Sequence, residues 1–430
     1  MQYRSLSPCN AEVSFSEAVI QGQASDGGLF FPLNIPYDTT YRDFDKRFES
    51  PSELATSLLA PMLSPELDSQ VLRKICDDAF NFEFPLIQLD QNLWVLELFH
   101  GPSAAFKDVG ARFLSRLLSQ LGRDKITILV ATSGDTGGAV AAGFYNIPNV
   151  EVVILYPKGR VSPLQEKQLT CWGSNINALE IEGSFDDCQS MVKAMLSDQE
   201  LRQQLSLTSA NSINLARWLP QSTYYAWASY QLKQAPCFIV PSGNFGNLAA
   251  GIFAWRRGVA AHSFIAATNR NDVFPHYLKT GQYIPKASVH TPSNAMDVGK
   301  PSNHPRIEAL FDYKINEMRE MIHAEVIDDA DTLASLKTAH QRYQYTLCPH
   351  GAVAYAAYQN YQAKQSNMDK SPKVILATAH PAKFNEIVEP TLGVPTDLPQ
   401  TLAHFTQAKV SFKENLKAQP HALKAYLLSR

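Results

Sequence analysis

The chain has 430 residues, 45% apolar and 18% charged, which is enough to bury a large core and more than one core usually serves. A formal net charge of −3 and a pI near 6.4 supply no cationic footprint for nucleic acid or an anionic membrane, so any anionic ligand must be held by local donors. No basic n-region with an apolar h-region opens the sequence, and no segment offers ~18 uninterrupted apolar residues, so a soluble, unexported protein is expected. Cys9, Cys76, Cys171, Cys188, Cys237 and Cys348 lack C-x-x-C pairing or His at ligand spacing. They suggest neither disulfides nor a metal site, and fit a reducing cytoplasm.

In chain order, residues 1–95 carry Pro32, Pro36, Pro51, Pro61, Pro65 and Pro85 between short amphipathic stretches, and predict a small, mainly helical N-terminal unit. Residues 96–215 are expected to form a smaller α/β domain and residues 216–430 a larger one. Glu97 to Leu114 reads ELFHGPSAAFKDVGARFL, with Lys107 among small and aromatic residues at the start of a predicted helix. Desolvation there would disfavour the ammonium and yield the neutral amine that a Schiff base needs. The alternative is a solvated lysine in a helix's first turn beside Asp108.

KITILVATS at Lys125 to Ser133 is a β-branched apolar run that leads through a Gly-rich turn into a small-residue helix, Ala139 to Tyr145, and then into VEVVILYP at Val150 to Pro157. This is a strand-helix-strand unit with buried strands. Similar runs recur at Cys237 to Pro241, Phe264 to Thr268 and Val374 to Thr378, with helical composition between them, as at Ile213 to Lys233. Parallel α/β layers with ligands at the strand ends follow.

Two of those ends are anion cradles in outline. Ala131 to Gly143, ATSGDTGGAVAAG, and Pro241 to Gly251, PSGNFGNLAAG, each place a Gly-rich turn between a strand and a helix, where free backbone N–H groups bind phosphate or carboxylate. Ordinary helix capping by Asp135 or Thr136 is the competing explanation for the first. Neither turn matches G-x-x-x-x-G-K-[ST] or G-x-G-x-x-G, and no G-x-S-x-G elbow occurs. At VILATAHPAKF, Thr378 and His380 end a strand, where a cofactor's ring nitrogen could be met. β-propensity for the threonine and a satisfied structural role for the histidine are the commoner explanations.

Taken together, HGPSAAFKD, ATSGDTGGA, PSGNFGN and LATAHPAKF, in this order and at these separations, resemble the threonine synthases, specifically their longer bacterial and fungal subfamily. VSFSEAVIQGQASDGGLFFP, ILYPKGRVSPLQEKQ, SANSINLARWL and SNAMDVGKPSN extend the resemblance from about Tyr3 to Pro390. A single motif would leave open another pyridoxal-phosphate lyase of this fold, such as a serine or threonine dehydratase, or a non-catalytic phosphate-ligand binder. Arg217 with the ANSIN stretch argues against the first, and Lys107 with Thr378 and Arg217 against the second.

The resemblance implies two α/β domains with mostly parallel sheets around a cofactor cleft, in the manner of the tryptophan-synthase-β-like enzymes. It implies pyridoxal 5'-phosphate as cofactor and the conversion of O-phosphohomoserine and water to L-threonine and phosphate. Lys107 would carry the cofactor as a Schiff base and shuttle protons. Gly243, Asn244, Phe245, Gly246 and Asn247 would wrap the cofactor's phosphate, and Thr378 would hydrogen-bond its pyridine nitrogen. Ser133, Gly134 and Asp135 would meet the substrate carboxylate and the cofactor's 3-hydroxyl. Thr136, Ser212, Asn214, Arg217 and Asn247 would hold the substrate phosphate. The sequence departs from the family pattern at Ser103, where Thr is usual, and at Asn247, where Asp is frequent; related enzymes often carry Asn at the place of Asp135. No metal, nucleic acid, membrane or obligate protein partner is implied.

Overall fold

The computed structural model describes residues 1–7, 12–45, 48–122, 125–364 and 369–429; Cys9 lies outside them. Two parallel sheets dominate. The larger runs, edge to edge, Ile322–Val326, Ser263–Thr268, Cys237–Pro241, Lys373–Ala377, Leu93–Glu97 and Leu86–Asp90, parallel throughout except for the last pair. The smaller runs Glu414–Lys417, Ile176–Glu182, Val150–Pro157, Ile126–Ala131 and Leu207–Ser209, all parallel. Cys237–Pro241 and Ile126–Ala131 are buried at every position, as strands covered by helices on both faces must be.

The sheets do not follow contiguous blocks of sequence. The hairpin Leu86–Glu97 spans the boundary expected at residue 95 yet belongs wholly to the larger sheet, and Glu414–Lys417 crosses over to edge the smaller one. Register explains the first case, because Leu93 to Glu97 pairs residue by residue with Lys373 to Ala377. In the second, the helix Pro420–Leu428 packs against Phe185–Ser197, burying Leu423 among Leu179, Ile181 and Met195.

The N-terminal unit carries the helices Phe15–Gln21, Pro51–Leu63 and Ser69–Ala79, together with an antiparallel sheet of Gln2–Ser5, Glu12–Ser14 and Phe30–Pro32. Pro51 opens its helix in the first turn, where the missing N–H costs nothing, behind Ser50, whose hydroxyl accepts from Glu53 N. Tyr3 Oη donates to Met62 O at 2.7 Å within the unit, and the unit is tied to the rest where Arg257 Nη2 donates to Leu58 O at 3.2 Å and Asn214 Nδ2 to Val19 O at 2.9 Å.

Among the described residues no helix is long and apolar enough to cross a membrane, and no cluster of three or more His, Cys, Asp or Glu could hold a metal ion. Cys76, Cys171, Cys188, Cys237 and Cys348 are free thiols. Because Leu423 is fully buried between two helices, Leu423→Ala should destabilise the smaller layer by about 2–5 kcal/mol, read as a lower urea midpoint.

Candidate active site

Three strand ends of the two sheets open on one cavity. Lys107, Ser133, Asp135, Thr136, Ser212, Arg217, Thr378 and the loop Gly243 to Asn247 all line it.

Lys107 stands immediately before the helix Asp108–Gln120. Leu98 N donates to Ala377 O, prolonging the parallel pairing, and the segment then returns antiparallel to the residues just past that strand: Phe106 N donates to Thr378 O (2.9 Å) and His380 N to Ala104 O (3.1 Å). The lysine and Thr378 are thereby held side by side by backbone bonds. Burial pushes the Lys107 amine down to about 8, with Asp135 opposing and Lys383 and Arg217 adding to the fall. The neutral amine is therefore accessible near physiological pH, and the solvated-surface alternative does not hold.

The loop after Cys237–Pro241 is a cradle of unspent donors. The backbone N–H groups of Gly243, Asn244, Phe245, Gly246 and Asn247 have no acceptor among the described residues, and the helix Gly246–Arg256 begins there with no side-chain cap. Phe245 takes a left-handed φ of 59°, turning the chain so that these groups converge. A Cβ on Gly243 would sit 2.6 Å from Met296 Cα, so only glycine fits. Such a nest, with the positive end of a helix behind it, suits a phosphate dianion. Asn247's side chain is occupied within the loop, donating to Pro241 O (2.9 Å) and accepting from Leu248 N.

On the opposite wall Thr132 Oγ1 accepts from Gly134 N (2.9 Å) and Gly137 N (2.8 Å), closing the turn that presents Ser133, Asp135 and Thr136. Asn211 clamps the strand end by pairing with both Ala131 N and Ala131 O. Gly134 itself does not line the cavity, contrary to its expected ligand contact. Its N–H is spent on Thr132, and its φ of 122° and the Gln165 side chain behind it make it a steric requirement of the turn.

Arg217 is almost wholly buried, on the short helix Leu215–Trp218, where Nη1 donates to Ala210 O and Nε has no partner. Burial lowers its pKa to about 10, with Asp108 opposing, so the guanidinium stays charged. Ser212 Oγ accepts from Asn303 Nδ2 (2.8 Å) and Asn244 Nδ2 (3.4 Å), which leaves its O–H proton to donate. Asn214 does not belong with them. Its side chain is consumed by Val19 O (2.9 Å), Ser209 O (3.0 Å) and Ala216 N (3.0 Å), so it caps a helix and ties down the N-terminal unit instead of lining the cavity.

Several lining or supporting residues escaped the motif reading. His350, at the start of the helix Pro349–Lys364, is pushed down to about 4 by burial, with Asp135 opposing. Its Nε2 accepts from Ala295 N at 3.1 Å, so the ring is neutral with its proton on Nδ1, facing Cys348 Sγ. Lys383, inside the HPAKF stretch, makes a fully buried ion pair with Asp135 Oδ1 at 2.8 Å. Gln165 Nε2 donates to the same oxygen at 2.9 Å. Phe106, Phe185, Met296 and Val298 supply apolar walls, and Gln221 a further polar one. His380 only caps the turn Pro381–Phe384, accepting from Ala382 N.

A family profile described as pyridoxal-phosphate dependent enzyme matches residues 82–379, preceded by threonine synthase N terminus over residues 2–80 and overlapped by threonine synthase, C-terminal over residues 351–427. Threonine synthase of Escherichia coli (strain K12) is 43% identical over 437 residues, covering 100% of both chains. The chain belongs to the threonine synthases. Its fold agrees with the crystal structure of the Escherichia coli enzyme at a TM-score of 0.93, with 41% identity and 100% of each chain covered. It also agrees with a PLP-bound threonine synthase from Brucella melitensis at 0.89, with 35% identity over 99% of this chain and 98% of that one. As a threonine synthase it is a pyridoxal-phosphate-dependent lyase, and the residues fit that cofactor: a buried amine, a phosphate cradle and a neutral hydroxyl at a strand end.

Asn214→Ala should cost about 1–3 kcal/mol of stability, since buried backbone groups lose their partner, while cofactor affinity stays within about twofold. A thermal melt and a cofactor titration read the two separately.

Proposed function

We propose that this chain converts O-phosphohomoserine and water to L-threonine and phosphate, with Lys107 as its cofactor-bearing lysine. The observation that carries the reading is the coexistence in one cavity of a cradle of free N–H groups and, apart from it, the buried guanidinium of Arg217. The cradle suits the cofactor's phosphate. Arg217, with Ser212 and Thr136, suits a second phosphate on the substrate, for which a dehydratase acting on serine or threonine has no use.

Bound pyridoxal phosphate supplies an electron sink for the charge left when a proton departs from the substrate's Cα. Thr378 would face the ring nitrogen with a neutral hydroxyl, which, unlike a carboxylate, does not hold that nitrogen protonated. Ser133 and the turn behind it would orient the substrate carboxylate. Arg217 would stabilise the γ-phosphate as it leaves.

Proton movement at Cα and Cβ falls to Lys107 Nζ by the state of its neighbours. Among the described residues lining the cavity, Lys107, Asp135, Arg217 and His350 titrate. His350 has its free lone pair occupied by Ala295 N–H. For Asp135, burial would raise the pKa, but Lys383, Lys107 and His350 hold the carboxyl well below its usual range, which makes it a weak base. We assign activation of the attacking water to the released phosphate, kept in place by Arg217.

The assay is phosphate release from O-phosphohomoserine set beside ammonia release from threonine: phosphate is expected, and ammonia alone would overturn the reading. Lys107→Ala should abolish the visible band of the lysine linkage. Arg217→Gln should lower kcat/KM for the phosphorylated substrate by roughly 10²–10³. Only the neutral amine attacks, so the rate at which cofactor-free protein captures pyridoxal phosphate should rise with pH and reach half its maximum near 8, well below an ordinary lysine.

A further inference from the structure

We propose that Lys383 is a positioning residue for Lys107: its ammonium occupies Asp135 Oδ1, offsets the carboxylate's field and so leaves the Lys107 amine free to bear the cofactor. The proposal rests on the assignment of Lys107 made above. The geometry divides the two oxygens of Asp135. Oδ1 is saturated by Lys383 Nζ at 2.8 Å and Gln165 Nε2 at 2.9 Å, whereas Oδ2 faces Lys107 Nζ at 3.8 Å, too far for a hydrogen bond. Lys383 is itself fixed, donating to Ser103 O at 2.9 Å, with its own carbonyl accepting from Ser162 Oγ at 2.7 Å. It thereby ties together the segment before Lys107, the turn before the helix Pro163–Thr170 and the start of the helix that carries Asp135.

A carboxylate a few ångströms from a buried amine would ordinarily hold that amine as an ammonium, which does not attack a carbonyl. Here a second cation faces the same carboxylate from the turn Pro381–Phe384. The other charged or titratable neighbours are Arg217, on the helix Leu215–Trp218, which also repels a proton on Lys107, and His350, on the helix Pro349–Lys364, neutral with Cys348 behind it. Asp108, next to Lys107 in the chain, accepts from Ser103 N at 2.9 Å, feels the charges of Lys383 and Arg112, and opposes the fall in the pKa of Arg217. Asp135 and Lys383 thus act on Lys107 with opposite signs, and burial is left to govern its proton affinity.

A merely structural ion pair would make the loss of either partner destabilising without moving Lys107's titration in opposite directions. The test compares wild type, Lys383→Met, Asp135→Asn and the double variant D135N/K383M. The readouts are the pH dependence of pyridoxal phosphate capture by the cofactor-free proteins and the pH titration of the visible band after loading. Lys383→Met should move the half-maximal pH of capture up by about one unit, Asp135→Asn should move it down, and the double variant should return to within about half a unit of wild type. kcat for phosphate release should fall at least about tenfold in Lys383→Met and partly recover in the double variant. If Lys383→Met does not fold, the comparison of D135N with D135N/K383M decides, with an upward shift of about one unit expected. Coincident capture profiles, or shifts of the same sign in both single variants, would overturn the proposal. A wild-type protein that forms no lysine linkage would instead remove the assignment of Lys107 on which it rests.

Discussion

Parallel pairing makes every strand of a sheet end at the same edge, and the rest of this molecule depends on that constraint. Because Ile126–Ala131 and Cys237–Pro241 run parallel to their neighbours, the turns that follow them emerge at the sheet edges that share the cavity, and the next helix in each case starts with its N–H groups pointing there. Lys107 does not follow a helix-covered crossover of this kind. It reaches the same place because residues 104–106 run antiparallel to residues 378–380, just past the Lys373–Ala377 strand, trading backbone bonds with them. Lys107 is thus aimed by main-chain geometry.

At the cavity wall Asp135 pairs with the buried Lys383 behind it and faces Lys107, with Arg217 lining the same cavity, and burial leaves these Coulomb interactions weakly screened. Local charge is positive on balance and the histidine adds none. That suits two phosphate groups, one permanent and one leaving, in a chain whose overall charge is slightly negative. It also explains why no basic surface is needed: the attraction is built where the ligand ends, not along its approach.

Legibility in the sequence tracked burial. Val150–Pro157 and Cys237–Pro241 were readable residue for residue because their runs are apolar throughout but for Glu151 near the start of the first. Leu86–Asp90 and Glu414–Lys417 passed unnoticed, being half-exposed edge strands of mixed polarity, and the small sheet near the N-terminus is similarly short. The motif order disclosed the family, since four strand-end motifs in fixed succession constrain far more than any one of them. Motifs did not disclose which way each side chain turns. Arg217 and Asn214 stand three positions apart in one stretch, yet one faces the cavity and the other faces Val19, a partner remote in sequence. Lys383 and His350 were silent for the same reason, because their roles come from Asp135, which no local spacing connects to them.

The strand Glu414–Lys417 has a bearing on how the polypeptide is made. Its partner, Ile176–Glu182, is synthesised long before it, and in the interval that edge of the smaller sheet has backbone donors and acceptors with no neighbour, flanked by Leu179 and Ile181 awaiting the Pro420–Leu428 helix. While the larger sheet is being translated, the nascent smaller layer therefore presents a sticky border. Ribosome pausing or chaperone capture in that window would matter more for yield of this protein than the intrinsic stability of the finished molecule.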